Sequence, residues 1–192
     1  MSELWLVRHG ETEWSRSGRH TSVTDLDLTQ AGADVARALA PQLAGRVFAQ
    51  VLTSPRLRAR RTAELAGLAA EVDDDLAEWA YGDYEGLTTP EIREQVPGWT
   101  VWTHPSPGGE TPEQVAERLD RVVARARGVE GYTLVVAHGH SLRALTARWL
   151  GLPPTDGRLF RLDTATVSVL GDDRGDPVVA HWNGSPPAQN GT

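Results

Sequence analysis

The chain has 192 residues, a length suited to one domain with a buried core, so neither disulfides nor a structural metal is required for stability. It contains no cysteine, which excludes disulfide frameworks, thiol nucleophiles and thiolate metal sites and suits a reducing, cytoplasmic compartment. All 19 basic residues are arginines, which excludes Schiff-base and P-loop lysines, and a net charge of −7 with 6% aromatic residues argues against a chain that coats nucleic acid or anionic membrane.

The apolar run Leu4, Trp5, Leu6, Val7 is too short for a signal peptide or a membrane span and reads as a buried strand that delivers Arg8-His9-Gly10 to a loop. Thr29 caps a helix in which Val35, Leu39 and Leu43 recur every four residues, and Gly45 ends it. Residues 48–53 read as a second strand, with Ser54 as the cap and Pro55 as the first residue of a helix reaching 68. Asp73-Asp74-Asp75 reads as a solvated turn ahead of Glu78, and Thr89-Pro90 opens a short helix. Segment 97–110, with two tryptophans, three prolines and Gly108-Gly109, is long enough to be either a lid or a packed surface loop. Thr111-Pro112-Glu113-Gln114 is a capping box, and the helix it opens carries Val115, Leu119, Val122 and Ala126 on one face and Arg118, Arg121, Arg125 and Arg127 on a solvated one. Residues 132–137 form another buried strand running into His138-Gly139-His140-Ser141, and Leu142, Leu145 and Trp149 mark a helix that Gly151 stops. Residues 166–170 and 178–182 close as a hairpin, Trp5, Trp149 and Trp182 fall at core positions, and from Gly184 an unanchored tail is expected to fray.

This alternation predicts an α/β fold: a single three-layer αβα domain over residues 1–183, with a mostly parallel central sheet and helices on both faces. Ligands in such sheets sit beyond the carboxyl ends of the strands, where this chain places His9 and His138. Arg8 adjoins the first, and Ser54-Pro55-Arg56-Leu57-Arg58 adds arginines at a helix start, so the assembled picture is an anion site. A neutral imidazole can attack phosphorus in line, and guanidinium forks and an imidazolium can then stabilise the phosphoryl oxygens. His9 fits attack and His138 fits stabilisation. The leaving alcohol needs a proton, and Glu78, between Leu76-Ala77 and Trp79, has the apolar neighbours that suit a carboxylic acid for that task.

The run Leu6-Val7-Arg8-His9-Gly10-Glu11-Thr12, with Ser54-Pro55-Arg56-Leu57-Arg58-Ala59 and Val136-Ala137-His138-Gly139, resembles the histidine phosphatase superfamily, the phosphoglycerate mutase-like branch. The resemblance implies a phosphohistidine on His9, a phosphate pocket of Arg8, Arg58 and His138, Glu78 as proton donor, and neither metal nor other cofactor. Glu78-Trp79-Ala80-Tyr81-Gly82 and the later Gly108-Gly109-Glu110-Thr111 and His138-Gly139-His140-Ser141-Leu142-Arg143 resemble the acid phosphatase and sedoheptulose-bisphosphatase members more than the mutases. In that group Ser15, Thr21, Tyr81 and Gly139 would line the substrate pocket, and Arg143 would reach a distal acidic group. The implied partner is a small-molecule phosphate ester such as a sugar phosphate, with no nucleic acid and no membrane; homodimers are common in that family.

Other readings stay open at this point. A phosphoglycerate mutase would share the first half-reaction, and a phospho-ligand-binding module would keep the pocket without turnover. A serine hydrolase built on Gly139-His140-Ser141 lacks the closing glycine, since position 143 is Arg. A metal site would use His138 and His140.

Overall fold

The structure, a computed structural model, describes residues 2–184. Four strands, β1 (Ser2–Arg8), β2 (Phe48–Thr53), β3 (Glu71–Val72) and β4 (Gly131–Ala137), lie parallel in the order β3-β2-β4-β1. The sheet continues antiparallel through β5 (Val167–Asp173) and β6 (Asp176–Gly184). It is therefore a mixed sheet, and the predicted parallel part is its first four strands. The hairpin ladder runs further than the sequence suggests: Gly171, Asp172 and Asp173 pair with β6, and only Arg174-Gly175, both at positive φ, make the turn. The tail predicted beyond Gly184 lies outside the described residues, and Gly184 itself ends β6.

Each side of the sheet carries its own apolar layer. Leu4 and Leu6 point to a cluster that includes Val115, Leu119 and Val122 of α5 (Pro112–Arg127) and Leu142, Leu145 and Trp149 of α6 (Gly139–Trp149). Trp5 and Val7 point the other way, to Leu39 and Leu43 of α2 (Gln30–Leu43) and Ala59 and Ala63 of α3 (Leu57–Leu65). A strand covered on both faces must be apolar at every position, which is why β1 reads as a continuous run rather than an alternation. The layers are helix, sheet, helix. Among the described residues no helix is long and apolar enough to cross a membrane.

Thr29 caps α2 as predicted, but the buried face is Gly32, Ala36, Leu39 and Leu43, while Val35 is 48% exposed. Small residues replace Val35 because the helix start lies against the loop after β1, where a Cβ on Gly10 would come within 2.5 Å of the Gly32 carbonyl oxygen. Two further short α-helices lie among the described residues: α1 (Glu13–Ser17), absent from the sequence reading, is opened by a Thr12–Ser15 capping box, and α4 (Thr89–Gln95) by a Thr88–Glu91 one. Trp5 and Trp149 are buried and Trp182 is partly so. Segment 97–110 is a packed loop, with Trp99, Val101 and Ser106 buried and the Pro107 carbonyl accepting from Asp83 N–H at 2.8 Å.

Candidate active site

The parallel strands end side by side. His9 N–H donates to Ala137 O at 2.9 Å and Ser54 N–H to Val136 O at 3.0 Å, so the residues following β1, β2 and β4 are His9, Ser54 and His138 at one edge of the sheet. The His9 and His138 rings meet edge to face with centroids 5.1 Å apart. His9 Nδ1 lies 2.7 Å from Gly10 O, and a carbonyl can only accept, so the proton sits on Nδ1 and Nε2 keeps its lone pair. Burial first, then the charges of Arg58 and Arg8, hold the His9 pKa well below 6.5. His9 is a neutral imidazole with Nε2 as its free atom.

His138 is organised in the opposite sense. Arg58 Nε–H donates to its Nδ1 at 3.2 Å, so Nδ1 carries no proton, and Nε2–H donates to Ser54 Oγ at 2.6 Å. Burial and the neighbouring Arg58 depress its pKa well below 6.5. The stabilising imidazolium predicted from the sequence is thus corrected: in this arrangement His138 is neutral, because an arginine donates to it. Ser54 is corrected as well. The helix begins only at Leu57, with Arg56 as an N-cap that makes no side-chain bond of its own, and the Ser54 hydroxyl accepts both from Arg56 N–H at 3.3 Å, in the turn ahead of α3, and from His138 Nε2–H.

Arg58 is fully buried, and each of its three nitrogens donates within the protein. Its Nη1 donates to Thr24 O, and Nη2 to Thr21 O and Ser22 O, at 3.0–3.3 Å. Arg58 and His138 are both fully buried beside His9, the guanidinium donating to the His138 ring and to the loop carbonyls. Glu85 holds the loop that supplies those carbonyls: its carboxylate accepts from Ser22 N–H at 2.9 Å, Ser22 Oγ at 2.5 Å and Thr24 N–H at 3.0 Å.

The cleft itself is about 180 Å³ and is lined by His9, Glu78, Tyr81 and three arginines, Arg8, Arg19 and Arg143. Arg8 Nη1 donates to Leu162 O at 2.6 Å, while its buried Nε has no protein partner. A Cβ on Gly139 would fall 3.3 Å from the Arg8 guanidinium carbon, so the glycine admits this side chain beside the start of α6. Arg143 is braced by Gly157 O and Arg158 O and lies 4.7 Å over the Trp102 ring.

Glu78 sits over the N-terminus of α6. Its Oε1 accepts from Trp79 N–H at 2.9 Å and Ser141 N–H at 2.7 Å, and Oε2 from His140 N–H at 3.0 Å. Oε2 therefore has the spare capacity of the two oxygens. The segment is clamped from outside by Glu110 and Arg118, paired at 2.7 and 3.0 Å, with Arg118 Nη1 on the Asp75 and Ala77 carbonyls and Glu110 Oε2 on Ala80 N–H. Arg118 is 8% exposed, which corrects its placement on a solvated face. Asp73 and Asp75 are likewise not simply solvated, being paired with Arg125 and Arg121.

Of the remaining predicted residues, Ser15, Thr21 and Tyr81 all border the cleft. Ser15 Oγ is occupied in the α1 capping box, Thr21 Oγ1 donates to Arg19 O, and Tyr81 Oη meets His140 Nδ1 at 2.5 Å. His138 and His140 thus face different partners, and among the described residues no group of three or more His, Asp or Glu is spaced to hold a metal ion. Ser141, the nucleophile of the hydrolase reading, is buried with its N–H on Glu78. Ser54, Glu85, Glu110 and Arg118 were given no site role from the sequence, although Ser54 stands in the Ser-Pro-Arg run and Glu110 in the Gly-Gly-Glu-Thr run that carried the resemblance.

Comparison with known proteins agrees with this geometry. The family model of the histidine phosphatase superfamily (branch 1) matches residues 4–185. The chain is 48% identical over 178 residues to an acid phosphatase of Mycobacterium tuberculosis, covering 90% of this chain and 87% of the relative. It is 39% identical over 181 residues to sedoheptulose 1,7-bisphosphatase of Saccharomyces cerevisiae, covering 77% and 67%. A solved structure of a functionally characterised Mycobacterium tuberculosis protein superposes with a TM-score of 0.90 at 43% identity, covering 97% of this chain and 99% of the other. The strand-end histidines, the arginine-lined cleft and this match over nearly the whole chain place it in one family: the chain belongs to the histidine phosphatase superfamily, branch 1.

Proposed function

We propose that this chain is a phosphoric monoester hydrolase that cleaves small phosphorylated metabolites, sugar phosphates among them, through a phosphohistidine on His9 and without a metal. The observation that carries the reading is the state of His9: Nδ1–H is committed to Gly10 O, leaving the Nε2 lone pair to the arginine-lined cleft. Nε2 attacks phosphorus, the N–P bond forms as the P–O bond to the alcohol breaks, and Glu78 Oε2 gives its proton to the departing oxygen. Water then attacks the phosphohistidine and passes a proton back to Glu78, the N–P bond breaks, and phosphate leaves a neutral His9.

Arg8 supplies donors to the phosphoryl oxygens, each charge-assisted bond contributing about 1.5–3 kcal/mol. Arg58 acts through its charge, which helps keep His9 unprotonated, and through its hold on His138, whose ring backs His9. Ser15, Thr21, Tyr81, Gly139 and Arg143 line the cleft, which supports a reading in which the first four bound the leaving group and Arg143 meets a second acidic group on the substrate. The similarity to an acid phosphatase and to a sedoheptulose bisphosphatase supports hydrolysis over transfer.

The test is phosphate release in EDTA from p-nitrophenyl phosphate, 3-phosphoglycerate, fructose 1,6-bisphosphate and sedoheptulose 1,7-bisphosphate, by the wild type and by His9→Ala. We expect release by the wild type alone, with a phosphorylated His9 peptide in acid-free mass spectrometry. A His9→Ala protein that keeps its turnover would remove the covalent mechanism, and isomerised phosphoglycerate without free phosphate would make the enzyme a mutase.

A further inference from the structure

Beyond the phosphate-binding end, the cleft has a wall of rings that the reaction does not use. His140 lies at its centre, partly exposed to the cleft it lines. Its ring is 5.1 Å from Trp102, 5.8 Å from Tyr81 and 5.9 Å from His20, the last stacked. Nδ1 is taken by Tyr81 Oη, and the backbone N–H by Glu78 Oε2. The atom left without a protein partner is Nε2.

Burial, then the charges of Arg143, His20 and Arg8, depress the His140 pKa well below 6.5, while burial and the nearby Glu78 raise that of Tyr81 well above 10. Both groups are neutral, so their shared proton arrangement has two forms. If Tyr81 donates to Nδ1, Nε2 carries the ring proton and donates; if Nδ1 donates to Tyr81, Nε2 accepts. A phosphate or carboxylate oxygen satisfies only the first form, and the arginines already serve that need. A hydroxyl, which both donates and accepts, satisfies either.

We propose that His140 Nε2, set by Tyr81, is a specificity-determining contact for a hydroxyl on the leaving group, so that the preferred substrates are phosphate monoesters of polyhydroxylated alcohols. This rests on the phosphatase reading above and adds to it the residue that selects the alcohol. Because the His140 backbone also bonds Glu78, the hydroxyl contact and the proton donor are fixed by one residue, which places the recognised alcohol beside the acid that protonates it.

The experiment compares kcat/KM on ribose 5-phosphate with that on pentyl phosphate and p-nitrophenyl phosphate, neither of which has a leaving-group hydroxyl to recognise. His140→Leu removes both ring nitrogens; His140→Gln returns an amide near the Nε2 position. We expect His140→Leu to lose about 10-fold more on ribose 5-phosphate than on either of the other two, and that extra loss to be largely rescued in His140→Gln. An equal loss on all three substrates would make His140 a packing residue and overturn the proposal, as would an unchanged ribose 5-phosphate value in a variant that melts like the wild type. A wild type silent on all three would overturn the phosphatase reading itself, and this inference with it.

Discussion

At the residue scale, two carboxyl oxygens and two ring nitrogens define the chemistry. Glu78 Oε1 accepts from two backbone N–H groups and Oε2 from one; α6 gives one bond to each oxygen, so the extra bond from Trp79 N–H to Oε1 is what leaves Oε2 with capacity for the reaction. Glu78→Gln keeps the acceptor but cannot donate to a departing alkoxide as an acid does. It should therefore lower kcat by about 10²–10⁴-fold on alkyl phosphates. On p-nitrophenyl phosphate, whose leaving group departs without a proton, the loss should be much smaller; equal losses on both would deny Glu78 the role of proton donor. His9 must be neutral to attack, and its depressed pKa keeps it so in mild acid. The acid limb of kcat/KM assigned to His9 should accordingly lie below the ordinary imidazole value of 6.5, and a limb above it, shifted by Arg8→Met, would contradict the assignment. His9, Arg8, Glu78 and His138 were legible in the sequence because each stands next to a strand end or in a recognisable run. Their protonation states were not: these depend on Gly10 O, Arg58 and Ser54, and partners of that kind are chosen by space.

At the scale of elements, loops rather than helices do the positioning. The 21–24 loop lies over Arg58 because Glu85 gathers its N–H groups, and the carbonyls of that loop then orient the guanidinium that meets His138. Removing Glu85 releases charge-assisted bonds in a half-buried place. Glu85→Ala should destabilise by about 2 kcal/mol, which in a chain of this length lowers Tm by roughly 4–8 °C. It should also reduce kcat more than Glu117→Ala, a change on the exposed face of α5; thermal melts and steady-state kinetics on both variants check this, and identical kcat values would mean that the loop does not orient Arg58. The 97–110 segment has a comparable function for Glu78. Gly82 at φ 54 faces Pro107 and Gly109 so closely that a Cβ would come within 2.0 Å of the Pro107 oxygen, which fixes this segment against 80–83. Helix starts at Thr29 and Thr111 were readable from local capping chemistry and that of α4 from Thr89-Pro90, its cap being the preceding Thr88, whereas α1 was too short to leave a periodic pattern.

For the whole molecule, the net charge of −7 is opposite to what an anionic substrate favours, yet screening over about 8 Å leaves Arg8, Arg19 and Arg143 in control at the cleft. The same interior sets the response to acid. His9, His138 and His140 are depressed well below 6.5 and His20 to about 4, in each case chiefly by burial. Below pH 6.5 the unfolded chain protonates these imidazoles while the folded one does not, so the unfolded state binds more protons and stability falls as the pH falls. His20 alone should cost roughly 3 kcal/mol by pH 4, and the lowered pKa values of Asp75 and Glu85 act in the same direction in stronger acid. Melting curves from pH 7 to 4 should show a steep drop in Tm; a flat profile would mean that the buried histidines are hydrated.

The sequence by itself determined the alternation of the longer strands and helices, the placement of His9 and His138 beyond strand ends, and the expectation of an anionic substrate. Apolar period, caps and turns are local properties, and a parallel sheet converts strand ends into a common edge. Only the tertiary structure decided that Ser54 serves His138 across 84 residues, that Glu85 reaches back 63 residues to Ser22, and that Arg118 is buried against a carbonyl 43 residues away. Burial imposes the rule that each polar group must find a partner, and the identity of that partner depends on which distant segments the packed core brings together.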